Sequence, residues 1–576
     1  MNTTVDTGIK RVLRFIPATL FIGVVLFSCW TAYYFSIHIT DADVSSEMAL
    51  GQFLADQNKI FSTDWFYSTE IRMFNSNLVY MPLFKLFDSW QTVRFASSLV
   101  LQALLAGSYY YFSRRMNMRT SAFFLSAALM LLPINIHYGR YVLYQYYYTP
   151  SYIYSFLIAG LFLSIMSHQG QKRLPQALRL GGMVLLTIAS CLNGMRQFPA
   201  TMLPLFLSVL IVAAKDRRGV PSVLSEIPKT KWISVAVAVL LCAVGLAALY
   251  THNNILSRYF SVRLMDDSTI SFSSADGLSS LLRSYLRLFG YMEDEALFSV
   301  GGLFSIGGAT AAVVLLILSL GDIVPRKRAA DPAAALMQTM YPVAMIVITL
   351  LFVLTPVSDD DYQYFFPSLV WLFPYLVVTL DSGEGGFSIQ KLTLKQSAVW
   401  LVCVFLFLNG IYVNLSYLNP EEGQVGYISG GVKEMDTLER MDGVLNYIEE
   451  NDCEVGYATF WYANLITELT NGQIPMITIY RVYPDSAYIY HDWLTYKQLR
   501  EESVVEDKNV FLLLSQNETG VFGSSELALY AIPTYSDEYF QIYEFDFSTE
   551  IWEYLLQEAE YYNQQSVLDQ LLPQKI

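Results

Sequence analysis

Charge is what this sequence lacks most. Asp, Glu, Lys and Arg make up only 15% of its 576 residues, while 54% are hydrophobic. A soluble domain carries about a quarter charged residues, so this balance excludes an ordinary soluble fold and points to a polytopic membrane protein. Cysteine is equally thin. Of five, Cys29, Cys191, Cys242 and Cys403 fall in apolar stretches and only Cys453 in the polar tail, which excludes a disulfide framework. No CxxC pair and no HExxH spacing occurs among the scattered histidines, so soft-metal chemistry is not expected. Walker loops, nucleophile elbows, dinucleotide fingerprints, internal repeats and low-complexity segments are all missing. GGLFSIGG (301–308) reads as small-residue packing in a helix.

What is present is apolar length. A bilayer core about 30 Å thick needs roughly 20 apolar residues per helical span. Stretches of that kind are expected at 15–37, 94–113, 120–136, 151–167, 178–194, 197–214, 232–250, 297–320, 338–357, 363–380 and 397–417, which makes eleven. The first follows Lys10, Arg11 and Arg14 but is too long for a signal-peptide core and has no small-x-small cleavage site, so it reads as an uncleaved helix. Alternate connections are basic: RRMNMR (114–119), QKRLPQALR (171–179), KDRRG (215–219) with PKTK (228–231), PRKR (325–328), and Lys391 with Lys395. The positive-inside rule then puts the N-terminus in the cytoplasm. An odd number of spans leaves the C-terminal region outside. The expected architecture is a polytopic α-helical membrane domain over 1–417, followed by an extracytoplasmic soluble domain of small α/β or α+β type over 418–576.

That second region carries 28 acidic and 7 basic residues, a solvated acidic surface that would repel nucleic acid phosphates. Helix is expected over GGVKEMDTLERMDGVLNYIEE, and strands at EVGYATF, IPMITIY, NVFLLLS, LALYAIP and FQIYEF. TFWYANLITELTNGQ (459–473) reads either as an acceptor surface or as a packed helix.

The two longest outer loops are expected at 38–93 and 251–296, so the outer face is where function concentrates. The first opens on TDADVSSEM (40–48), with Asp41, Asp43 and Glu47 directly against the membrane boundary. DVSSEMALGQFLADQ has helix-forming composition with Asp43 at a plausible N-cap, which sets Asp43 and Glu47 on one face. One reading makes these residues a cap and two solvated carboxylates. The other is a catalytic cluster whose desolvation lifts a carboxylate toward general-base range. STEIRMFNSNLVYMPLFKLFDSW (68–90) is too polar to span and suits a helix lying in the interface.

A long outer loop straight after helix one, opening on acids and carrying interfacial helices, with some eleven spans and a soluble outer tail, resembles the GT-C superfamily of integral membrane glycosyltransferases. That superfamily includes protein O-mannosyltransferases and the lipid A aminoarabinose transferase. Many members carry adjacent Asp-Glu here, whereas this chain has Asp-Ala-Asp followed by Glu47, which leaves open whether Asp41 or Asp43 is the base. The resemblance implies a sugar donor on a polyprenyl phosphate, a glycan, lipid or protein acceptor at the outer face, inversion at the anomeric carbon, and a cation for the departing phosphate.

Candidates for that cation are Arg196 in CLNGMRQFP (191–199), and Arg258 and Arg263 in ILSRYFSVRL. Each could equally be a structural ion pair or a headgroup anchor. Two tyrosine-rich clusters, HYGRYVLYQYYYTPSYIYSF (137–156) and SDDDYQYFFP (358–367), read as interfacial belt. Alternatively they form a sugar platform, with His137, Arg140, Tyr144, Gln145, Asp361 and Gln363 as substrate contacts. Asp41 and Asp43 could also hold magnesium or manganese, although a metal-free site is the preferred expectation. The other function classes are a flippase or transporter and a polymerase or ligase of lipid-linked glycans. Few mid-span charges and no internal repeat disfavour the first, and an acidic rather than arginine-rich outer loop disfavours the second.

Overall fold

The computed structural model describes residues 2–167, 173–215, 229–262, 275–293, 295–323, 331–354, 359–381, 393–418, 437–482, 487–546 and 548–571. Among these, seven helices are long and apolar enough to cross a membrane: Phe15–His38, Thr149–Ser167, Leu174–Leu192, Trp232–Tyr259, Val300–Ile323, Pro332–Val353 and Leu394–Tyr417. The pair Tyr362–Leu369 and Leu372–Leu380, bent by 49°, makes an eighth if counted as one span. The expectation of eleven is therefore not met by length and apolarity. Thr120–Met130 and Phe198–Ala213 are short. The helix Trp90–Arg115 is long, but it buries Arg94, Ser97, Ser98, Gln102 and Ser108 against the bundle instead of presenting an apolar circumference.

The chain enters through α1 (Asn2–His38), turns at Ile39–Asp41 and runs into α2 (Ala42–Gln57). The strand β1 (Trp65–Tyr67) and the short α3 (Asn77–Phe84) follow before α4 (Trp90–Arg115) re-enters the bundle. Over 68–90 helix forms only within Asn77–Phe84, because Arg72 takes a left-handed conformation (φ 52°) and the chain turns there. The tyrosines expected as interfacial belt are mostly core: Tyr138, Tyr144, Tyr146, Tyr148 and Tyr152 are buried. Burying a phenol requires a partner for its hydroxyl, and partners exist: Tyr138 donates to the Met130 carbonyl (3.2 Å), Tyr144 to Asn414 (2.5 Å) and Tyr152 to the Phe366 carbonyl (2.6 Å). GGLFSIGG does pack as expected, since a Cβ on Gly308 would lie 2.4 Å from the Phe289 carbonyl oxygen.

Beyond the bundle stands a six-stranded mixed sheet. Alongside β2 (Ser261–Val262) in the membrane part, the tail contributes β3 (Val455–Thr459), β4 (Met476–Arg481), β5 (Tyr488–Tyr490), β6 (Thr495–Tyr496), β7 (Val510–Ser515), β8 (Ala531–Ser536) and β9 (Phe540–Phe545). The sheet order is β5-β4-β3-β7-β9-β8, with β3 parallel to both β4 and β7. VFLLLS is apolar throughout because both its faces are covered: Val510, Leu512 and Leu514 enter one core, Phe511 and Leu513 the other. The strand expected at LALYAIP begins only at Ala531, its first half being the turn Glu526–Leu529. A second, three-stranded sheet of order β2-β1-β6 joins the loop after α1, the chain after Trp232–Tyr259 and the tail. The tail is thereby stitched to the loop that follows the first helix.

Candidate functional site

The turn between α1 and α2 is set by Asp41, not Asp43. Asp41 is the N-cap, its carboxylate accepting from the Val44 amide at 3.0 Å, so the helix starts two residues earlier than expected. The other Asp41 oxygen takes two bonds from Arg140, at 2.9 Å from Nε and 2.5 Å from Nη2. Gln145 accepts from Arg140 (3.1 Å) and reaches the Ile39 carbonyl (3.5 Å), tying that guanidinium to the turn. Asp41 is thus fully engaged.

Asp43 lies in the first turn of α2, half-buried, and no hydrogen bond or ion pair among the described residues holds its carboxylate. Burial, reinforced by the charge of Asp41, pushes its pKa up to about 6, against the opposing pull of Arg72, Arg140 and Arg196. A carboxylate with no partner among the described residues, within the electrostatic reach of three guanidiniums, is the central feature of the site.

Each of those arginines has its own acid. Arg140 pairs with Asp41, Arg72 with buried Glu47, and Arg196 Nε with Glu70 at 3.0 Å. Ser76 also donates to Glu47. Arg72 and Arg196 lie over the Tyr147 ring, 4.1 and 4.6 Å from its centroid, and Arg196 donates to the Tyr147 hydroxyl (3.1 Å). Guanidiniums stacked on a ring are partly desolvated yet remain charged. Glu70 is itself lifted above the ordinary glutamate range by burial, opposed by Arg196 and His252. The segment carrying Glu70 and Arg72 is held by Asn193, which accepts from the Phe74 amide and donates to its carbonyl, both at 2.8 Å. His252 accepts from the Ile71 amide (3.4 Å). Three π-helical turns, Gly139–Tyr144, Phe198–Met202 and His252–Leu256, border this cluster; such turns re-aim side chains without breaking a helix.

Gly194 is fixed by this packing. Its φ of +136° is one that L side chains rarely adopt, and a Cβ would sit 2.6 Å from Glu70 Cγ. Gly194→Ala is expected to lower stability by about 1–3 kcal/mol and to displace Glu70 from Arg196. A thermal melt of the purified chain checks it, and an unchanged midpoint would contradict the packing.

Of the residues singled out in the sequence, Asp41, Asp43, Glu47, Arg140, Gln145 and Arg196 converge here. Tyr144 does not, since it points into the bundle against Phe35 and Tyr417. Arg258 is exposed, and no hydrogen bond or ion pair among the described residues joins it to the cluster. Arg263 lies outside the described residues. The His137 ring lies tilted against Tyr141 and Tyr362 (centroids 5.9 and 4.9 Å apart), and the turn Asp359–Phe365 that supplies Tyr362 also carries Asp361 and Gln363. Sequence reasoning missed Glu70, Arg72, Tyr147 and His252. The signal available was Glu70-Ile71-Arg72, two charges inside an apolar segment that had to find partners. Among the described residues no three His, Cys, Asp or Glu side chains group to hold a metal, and the Asp41 oxygens are committed to Arg140 and the Val44 amide.

No protein-family model matches the sequence, and comparison with curated proteins finds no match. Solved structures do match. ArnT from Cupriavidus metallidurans bound to undecaprenyl phosphate aligns with a TM-score of 0.48 and 13% identity, over 91% of this chain and 97% of that one. The apo form of the same protein gives 0.48 and 11% over the same shares. An Archaeoglobus fulgidus oligosaccharyltransferase tethered with an acceptor peptide gives 0.43 and 10%, over 87% of this chain and 69% of that one. Scores below 0.5 transfer no function, so the chemistry has to come from the residues of the site.

Proposed function

We propose that this protein is a membrane glycosyltransferase that moves a sugar from a polyprenyl-phosphate donor to an acceptor at the extracytoplasmic face, with Asp43 as general base. What carries the reading is one observation: a half-buried carboxylate in the first turn of α2, without a partner among the described residues, its pKa pushed up to about 6 against the charge of three arginines. A base near the working pH accepts a proton in the transition state without being protonated at rest. Asp43 takes the proton from an acceptor hydroxyl as that oxygen bonds to the anomeric carbon. The bond from that carbon to the phosphate oxygen breaks, its electron pair leaves with the lipid phosphate, and the configuration inverts. Arg196 and Arg72, already oriented by Glu70, Glu47 and Tyr147, answer the charge that gathers on the phosphate. Arg140 holds Asp41 and with it the turn on which Asp43 sits. Arg114 and Arg115, at the end of α4 opposite the Trp90 end that meets the tail, support placing the sheet and this cluster outside.

The test is transfer from a panel of labelled polyprenyl-phosphate sugars in membranes containing the protein. Label should move into an endogenous acceptor, and the reading is abandoned if no donor supports transfer. The rate should rise with pH along an acid limb centred near 6, because only ionised Asp43 accepts the proton. Asp41→Asn keeps the N-cap but removes the negative charge that raises the Asp43 pKa and frees Arg140 to lower it. The limb should therefore move to lower pH. A limb at ordinary carboxylate values in the wild type would remove Asp43 from the role of base.

A further inference from the structure

A cavity of about 470 Å³ opens between α2, the α3–α4 connection and the tail. Its size falls in the range of about 300–1,000 Å³ typical of small-molecule sites. Its lining combines aromatic rings, Phe53, Phe84 and Trp90 among them, with polar or acidic side chains such as Gln52, Asp56 and Asn471, and no Lys or Arg among the described residues lines it. Part of its wall is fixed: the Asn471 side-chain oxygen Oδ1 accepts from the Trp90 amide (3.0 Å), and Gly472 lies so close that a Cβ would stand 3.1 Å from the indole. A positive φ at both Asn471 and Gly472 shapes this turn. Gln52 donates to Asp56 at 2.7 Å, which fixes two acceptors at the rim.

This lining selects by exclusion. A phosphate or anionic headgroup finds carboxylates and no cation, and an acyl chain would strip water from Gln52, Asp56 and Asn471 without replacing their bonds. A sugar ring satisfies both kinds of group, its C–H face lying on an aromatic ring and its hydroxyls meeting carboxylate and amide groups. The cavity lies on the same helix as Asp43 but half a turn round it: Gln52 follows Asp43 by nine residues on α2, a rise of about 13 Å.

We propose that this cavity is a binding subsite for a neutral oligosaccharide. The binding does not rest on the transferase reading. The purified full-length protein in nanodiscs is titrated calorimetrically with chitotetraose, cellotetraose, maltotetraose and mannotetraose. Phosphatidylglycerol vesicles and an unglycosylated polar peptide serve as the competing classes. At least one tetrasaccharide should bind. The double variant Gln52→Ala/Asp56→Ala, altering side chains at the rim, should weaken it about tenfold or more, and Phe53→Ala should do likewise. The proposal is overturned if no tetrasaccharide binds, if the rim variant binds as tightly as wild type, or if only vesicles or peptide bind. If a tetrasaccharide binds through this cavity and no donor sugar is ever transferred, the subsite stands and the transferase reading falls.

Discussion

Replacing Asp43 with Asn should lower sugar transfer by a factor of about 10²–10⁴, the usual contribution of a positioned general base. The substitution changes little else. Asn is nearly isosteric, the Asp43 side chain supports no ion pair or hydrogen bond among the described residues, and the cap of α2 belongs to Asp41. A large loss of rate in a protein that still melts like wild type would therefore isolate a chemical role. The companion change, Asp41→Asn, should cost less and shift the acid limb, because Asp41 holds Arg140 and the helix start without touching the proton in flight. The assignment fails if transfer survives Asp43→Asn at wild-type rate.

The second large effect is on stability and lies where the tail meets α4. Arg94 and Glu468 form a two-bonded pair whose side chains are only 5% and 6% exposed. Nε meets Oε1 at 2.6 Å, and Nη2 meets the other oxygen. Ser45, in the first turns of α2, donates to the same carboxylate at 2.6 Å. Thr437, from the helix that begins the described tail, donates to the Thr40 carbonyl at 2.8 Å. Glu468→Gln leaves a buried guanidinium without its counter-charge, a loss of about 3–5 kcal/mol in comparable pairs. A marked drop in the thermal midpoint is expected. A paired Arg94→Met/Glu468→Met variant should recover most of it, since removing both charges also removes the desolvation penalty. If Glu468→Gln melts with the wild type, the pair does not hold the tail. The same contacts sit beside Thr40, Asp41 and Ser45, so loosening them should also lower transfer by displacing the turn that carries the base.

The helical layout was legible because burial leaves a one-dimensional trace. Spans such as Val300–Ile323 and Leu394–Tyr417 are apolar along their length, and lipid contact alone requires it. α4 escaped that logic in part, as its polar face is covered by neighbouring helices and composition does not record which neighbour covers it. The central strands of the tail were readable for the same reason as the spans, VFLLLS above all. The three-stranded sheet was not, since strands of two and three residues carry no period.

The site divides in the same way. From the sequence alone came the membrane class, the acidic tail, the placement of function at TDADVSSEM, and the candidacy of Arg140, Gln145 and Arg196. The sequence could not say which acid was free. That depended on Asp41 capping α2 and accepting Arg140 from ninety-nine residues away, and on Glu47 being claimed by Arg72. Those pairings left Asp43 alone with its pKa raised. Carboxylates of one type differ only in the charges and burial around them, and these are set by contacts between distant segments.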